Sequence, residues 1–192
     1  SSLGSVAESR SGHLGITAAD ITARVSAGAS VAVNGVCLTV TGVQGQAFFA
    51  DVVPETVSRT NLGALRVRQA VNLELPLSLA QGLDGHLVQG HVDAVVRVLT
   101  VRPVRIGSEI EFELPAELAP YVADKASVAL DGTSLTVAGL AQDARSFSVA
   151  FIPHTLESTI AGWYEPGTAV NLEVDVVARY VERLLGSRQQ AG

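Results

Sequence analysis

The heptad NGVCLTV at residues 34–40 returns as DGTSLTV at residues 131–137, an offset of 97. The echo is not isolated. SVAVNGVCLTVTGV (30–43) aligns without a gap with SVALDGTSLTVAGL (127–140). VVPETVSRT (52–60) aligns with FIPHTLEST (151–159) at an offset of 99, and AVNLE (70–74) with AVNLE (169–173), again at 99. Three blocks in one order, with a single two-residue insertion expected near residues 144–146, mean a duplicated domain of roughly ninety residues. A solenoid would need more and shorter units. The junction between the copies is expected around Asp84–His91.

Each copy reads as β. SVAVNG, VCLTVTGV and QAFFADVV are short, rich in β-branched and aromatic residues, and divided by Asn-Gly or Gly. AVNLEL and EIEFEL alternate apolar and polar side chains, as half-buried strands do. About six short strands per copy, joined by tight turns, predict a small closed barrel, which also removes exposed strand edges. Two stretches read as helix: AELAPYVA, short and holding Pro120, and DVVARYVERLLGSR near the C-terminus. In the latter Val176, Val177, Tyr180, Val181, Leu184 and Leu185 share one face. Such a helix packs on another subunit or folds back on its own barrel, and oligomerisation is the expectation taken here.

Composition narrows the function. With 47% hydrophobic and 17% charged residues, a packed core is affordable and disorder is not expected. No apolar run reaches the ~18 residues of a membrane span. A net charge of −6 argues against general nucleic-acid binding. The one cysteine allows no internal disulfide and fits a reducing compartment. Cysteine-rich metal sites are excluded, and the four histidines (13, 86, 91, 154) form no HExxH-like spacing. No signal peptide is visible. The chain contains no methionine and begins SSLGSV, so a short native start is expected to be missing from the sequence.

Alternation sorts the heptad. Val36, Leu38 and Val40 face one side, the expected core, while Cys37, Thr39 and Thr41 face the other. In the second copy Leu135 and Val137 face in, Ser134 and Thr136 out. Cys37/Thr39 and Ser134/Thr136 are thus equivalent polar pairs on equivalent surfaces. They line a shallow ligand site or make an ordinary solvated strand face. GLDGHLVQGHVD (82–93) sets two histidines among glycines, where the backbone can approach a ligand and a histidine can move protons near neutral pH. A structural role at the crossover is the alternative, as is a solvated lysine for Lys125.

Taken together, SVAVNGVCLTV, PETVSRTNLG, GHLVQGHVD, SLTVAGL, IPHTLEST and VNLEVDVVARYVERLL resemble the riboflavin synthase family, α-chain type, over nearly the whole chain and in order. The lumazine-binding fluorescent proteins are paralogues with the same fold. The resemblance implies an all-β protein of two tandem six-stranded Greek-key barrels plus a C-terminal helix. It implies domains at 1–86 and 87–176, with a trimerisation helix and tail at 177–192. It implies a cytoplasmic homotrimer, with possible association with lumazine synthase and no role for nucleic acid or membrane. Two molecules of 6,7-dimethyl-8-ribityllumazine would bind between the N-barrel of one subunit and the C-barrel of another. One gives a four-carbon unit to the other, forming riboflavin and 5-amino-6-ribitylamino-pyrimidinedione without metal or organic cofactor. The alternative functions are a paralogue acting on a related pteridine or flavin, and a non-catalytic binder.

Carried over by position, the family pattern puts Cys37, Thr39 and Ser30 in the N-barrel site and Ser134, Thr136 and Lys125 in the C-barrel site. Backbone groups around Asp51 and Val53, and around Ala150 and Ile152, would bond the pteridine edge, with Thr56 and Thr155 beside them. His86 would shuttle protons. Asp175 and Ser134 would polarise water or the attacked carbon, and Cys37 would stabilise the exchanging adduct. Three departures stand out. The family's Met-Phe-Thr-Gly start is expected just before this chain's first residue. Leu75-Pro76 replaces an arginine after the first NLE. Asp84-Gly85 stands for a glycine pair, and Ala94 for a later glycine.

Overall fold

The computed structural model describes residues 2–10, 12–78, 82–83 and 85–189, the last four without their side chains. Asp84 lies outside the described residues. Among the described residues, twelve strands form two closed barrels of six. The first uses β1 (Ser2–Arg10), β2 (His13–Thr17), β3 (Ser30–Val33), β4 (Val36–Gln44), β5 (Ala47–Asp51) and β6 (Ala70–Glu74), in the spatial order β1-β2-β5-β4-β3-β6. The second uses β7 (Ala94–Pro103), β8 (Ser108–Glu113), β9 (Ser127–Leu130), β10 (Thr133–Leu140), β11 (Ser146–Phe151) and β12 (Ala169–Val174), in the equivalent order β7-β8-β11-β10-β9-β12. The heptads are β4 and β10. The two extra residues of the second copy lie in the β10–β11 hairpin, where Ala144 takes φ +53°.

The alternation read in the sequence packs each barrel. Val31, Val33, Leu38, Val40, Phe48, Val71 and Leu73 fill the first. The second is more aromatic: Phe112 stacks on Phe147 at 5.5 Å, and Tyr164 meets Phe112 and Phe151 edge-on. The first barrel also carries a four-residue helix, α1 (Ala19–Thr22).

The sequence reading did not anticipate a pair of helices, α2 (Pro54–Arg59) and α3 (Pro153–Ser158). Each starts on a proline, whose missing N–H costs nothing at a first turn. Each ends at a threonine. The Thr60 hydroxyl donates to Thr56 O and accepts Leu62 N–H; Thr159 repeats this with Thr155 O and Ala161 N–H. AELAPYVA yields only a 3-10 turn at Ala119–Tyr121. The C-terminal helix, α4 (Val176–Gln189), leaves Val177, Tyr180, Val181, Leu184 and Leu185 at least half exposed. Among the described residues no helix is long and apolar enough to cross a membrane.

The barrels meet across a pseudo-twofold seam of three buried asparagines, Asn34, Asn72 and Asn171, and one buried aspartate, Asp131. Asn72 Nδ2 donates to Asp131 O at 2.9 Å, and Asn171 Nδ2 to Asn34 O at 2.8 Å. Ile160 N–H donates to Asn72 Oδ1 at 2.8 Å, and Asn61 N–H to Asn171 Oδ1 at 2.7 Å. Buried polar groups satisfied this fully fix a register where an apolar face would slide. The symmetry is broken at Asn61, matched by Ile160, at Tyr164, matched by Leu65, and at the acid they both bond. Asn34 in the first copy is Asp131 in the second, and its carboxylate accepts from Asn61 Nδ2, Asn171 N–H and the Tyr164 hydroxyl.

Candidate active site

Cys37 and Thr39 lie on the outside of the first barrel, as alternation predicts, and alternate with buried Val36, Leu38 and Val40. Register then groups the candidate residues. Ser30 pairs with Thr39, and Asp51, one past the Val40–Ala50 pair, stands on Thr39's other side. His13 pairs with Asp51 and completes a polar row over four strands, His13–Asp51–Thr39–Ser30. The second barrel repeats the row as Glu109–Ala150–Thr136–Ser127. Ser30, Thr39 and Asp51 therefore share one surface, and Thr136 and Ala150 the matching one. Val53 and Ile152, both more than half exposed, follow at the N-caps of α2 and α3. Thr56 and Thr155 sit half-buried within those helices.

The rows are not chemically alike. His13 Nδ1 lies 2.9 Å from Asp51 Oδ1 and its ring stacks on Phe49. The second row has Ala150 where the first has the carboxylate.

Lys125 stands out by its backbone. It holds φ +66° and donates its N–H to Val137 O, where the first copy has Gly28 at φ +91° donating to Val40 O. A lysine held in a glycine conformation is strained, and strain of this kind concentrates where the side chain is used.

The crossover from β6 to β7 touches both heptads. His86 Nδ1 is 2.7 Å from Ser134 Oγ, and the His86 backbone N–H also points at that oxygen, at 3.3 Å. Four residues on, Gly90 O accepts the Cys37 N–H at 3.0 Å. Both approaches need glycine: a Cβ on Gly85 would stand 2.5 Å from Ser134 Oγ, and one on Gly90 2.7 Å from Cys37 N. Burial holds the His86 imidazole below its ordinary pKa, against the opposing pull of Asp175 and then Glu173. It is neutral at pH 7, and its Nε2 is buried without a partner among the described residues. A neutral imidazole with one nitrogen tied to a hydroxyl and the other unengaged is suited to take a proton from a bound molecule.

Two carboxylates that sequence reasoning missed hold this crossover. Glu173 accepts three successive N–H groups, from Gln89 at 2.7 Å, Gly90 at 2.9 Å and His91 at 3.0 Å. Asp93 accepts the Val174 N–H at 2.8 Å and pairs with Arg179 of α4. Asp175 caps α4 by accepting the Val177 N–H. Among the described residues no cluster of three or more His, Cys, Asp or Glu is arranged to hold a metal ion.

The sequence matches the family described as lumazine binding domain twice, over residues 2–76 and 89–175. It is 51% identical over 170 residues to the riboflavin synthase of Mycobacterium tuberculosis, covering 87% of this chain and 84% of that protein. It is 41% identical to that of Photobacterium phosphoreum, covering 85% and 74%, and 38% identical to that of Bacillus amyloliquefaciens, covering 92% and 81%. Among solved structures, the crystal structure of LumP complexed with 6,7-dimethyl-8-(1'-D-ribityl) lumazine superposes with a TM-score of 0.81. It shares 22% identity and covers 91% of this chain and 96% of that one. The complex of LumP with riboflavin gives 0.82, also at 22% identity, over 90% and 95%. At that identity the likeness is one of fold.

Proposed function

The chain belongs to the riboflavin synthase family, and we propose on that premise that it converts two molecules of 6,7-dimethyl-8-ribityllumazine into riboflavin and 5-amino-6-ribitylamino-pyrimidinedione. One lumazine passes a four-carbon unit to the other. The two products together hold the atoms of the two reactants, so the balance calls for no oxidant or cofactor.

The observation that carries this reading is the crossover bridge, with His86 on Ser134 of one heptad and Gly90 on Cys37 of the other. A reaction between two identical molecules needs two like binding surfaces and a fixed path for protons. The duplicated rows supply the surfaces. Holding two rings in contact turns a bimolecular step into an effectively unimolecular one, worth up to roughly 10 kcal/mol. His86, neutral at pH 7, takes a proton from the acidic 7-methyl group, and Ser134 returns or relays it. Cys37 presents a thiol to one lumazine and Ser134 a hydroxyl to the other, and that difference separates donor from acceptor. Lys125 and Asp175 steady charge that develops on the adduct. Backbone groups near Asp51, Val53, Ala150 and Ile152 hold the pteridine edges, with Ser30, Thr39, Thr56, Thr136 and Thr155 alongside. The N-barrel surface of one subunit meets the C-barrel surface of another in a cytoplasmic trimer built on α4, whose Tyr180 and Leu184 are 67% and 65% exposed in the single chain.

Incubating the full chain with the lumazine and following riboflavin absorbance tests the activity. Tight binding without riboflavin would leave a carrier in place of a synthase. Leu184→Glu should break the assembly in sedimentation velocity and abolish turnover with it. An unchanged sedimentation coefficient would remove α4 from the interface.

A further inference from the structure

Glu173 closes the repeated pentapeptide AVNLE, and its twin is Glu74. The twins differ in setting. Glu74 is exposed, whereas Glu173 is 4% exposed. What buries Glu173 is the crossover, which lays three consecutive N–H groups on its two oxygens, Gln89 on Oε1 and Gly90 and His91 on Oε2. A carboxylate can enter a buried position when donors replace its water, and charge-assisted bonds of this kind are about twice as strong as neutral ones. The three amides donate from one short bend, so one carboxylate sets the path of the chain there.

That path matters at both of its ends. Upstream, His86 sits on Ser134; at the bend itself, Gly90 O takes the Cys37 N–H. Behind the bend a cleft of about 500 Å³ opens against α4, with Arg59, His91, Glu173 and Arg179 on its walls. The bend therefore borders open space, and Glu173 fastens it there through three bonds.

We propose that Glu173 is a positioning residue for the reaction, fixing the bend at residues 89–91 so that His86 stays on Ser134 and Gly90 on the Cys37 strand. This rests on the synthase reading above. Glu173 does not touch the reacting rings; it acts through the bend. It also acts through its charge. The charged groups facing His86 are Asp175 and Glu173, both from the end of β12, and Ser134 of β10 is its hydrogen-bond partner.

Glu173→Gln is the test, made in the full chain. One oxygen remains an acceptor, while the new amide turns its own N–H groups toward the bend. Turnover is expected to fall about a hundredfold, the cost of a misplacement near 1 Å, with KM for the lumazine within about twofold. The His86 imidazole, followed by NMR, should titrate at lower pH than in the wild type, because a negative charge that favours its protonated form is gone. Glu173→Asp, which keeps the charge, should leave the titration near its wild-type value. A turnover within about threefold of wild type, or a His86 titration that does not move in Glu173→Gln, overturns the proposal. Amide exchange in the wild type decides it even if the variant fails to fold. The N–H groups of Gln89, Gly90 and His91 are expected to be protected, and exchange at open-loop rates overturns the proposal as well. A wild type that makes no riboflavin defeats the synthase reading instead, and the exchange and titration measurements still judge the placement.

Discussion

Gly35 and Gly132 lie back to back across the barrel seam, so close that a Cβ on Gly35 would stand 2.5 Å from Gly132 N. Both hold positive φ, +70° and +79°. Each glycine opens a heptad strand, so the point where the barrels touch is also where the two candidate surfaces begin. Gly35→Ala meets backbone it cannot displace and a conformation it disfavours. A loss of about 3 kcal/mol or more is expected in urea unfolding. A midpoint equal to wild type would mean that the seam can open without cost.

Asp131 makes the seam sensitive to pH. Burial pushes its carboxyl from 3.8 up to about 6, against the opposing hydrogen bonds from Asn171, Tyr164 and Asn61. Because the folded protein binds this proton more tightly than the unfolded chain, the stabilising contribution is complete below about 3.8 and is lost as pH rises through about 6. The displacement is worth roughly 3 kcal/mol. Asp131→Asn copies Asn34 of the first barrel and removes the titration. Between pH 4 and 8 its stability should gain on the wild type by up to about that amount. Parallel stability–pH curves for the two proteins would show that Asp131 does not titrate there.

In the proposed site, Lys125 is expected to trade stability for function. Replacing it with glycine, the residue at the matching position of the first copy, relieves a positive φ and should raise stability by up to about 1 kcal/mol. Turnover should drop in the same variant. A stable Lys125→Gly with full activity would return Lys125 to the solvated surface.

His86 should set the acid limb of the rate. Its proton affinity is lowered by burial, so turnover is expected to hold through the ordinary histidine range near 6.5 and to decline only below it. His86→Ala should cut turnover about a hundredfold with lumazine binding largely kept. An unaltered rate in the variant would take the imidazole out of the chemistry.

The barrels, their six strands and the facing of β4 were legible because duplication and period-two alternation both write themselves into sequence. The outward pair Cys37 and Thr39 followed from alternation alone. What stayed hidden depends on neighbours that no local pattern names. AVNLE occurs twice, yet Glu173 is buried under the crossover and Glu74 is not, because the crossover passes over one copy only. Asn34 and Asp131 fill matching turn positions, and only the seam shows that one of them is an acid enclosed between two barrels. Nothing in the local sequence around His13 marks it out. Its pairing with Asp51 needed the β2–β5 register, which joins residues 38 apart.

The seam bonds described above come from residues of the two barrels, and none from the segment that links them. From His86 onward the link is fastened at Ser134, Glu173 and Cys37. None of these seam bonds and fastenings uses a residue between Glu74 and Gly85. Two separately expressed halves, divided between Glu74 and Gly85, should find each other and co-elute as one body. Halves that elute apart would show that the linkage, by keeping their local concentration high, is what holds the seam shut.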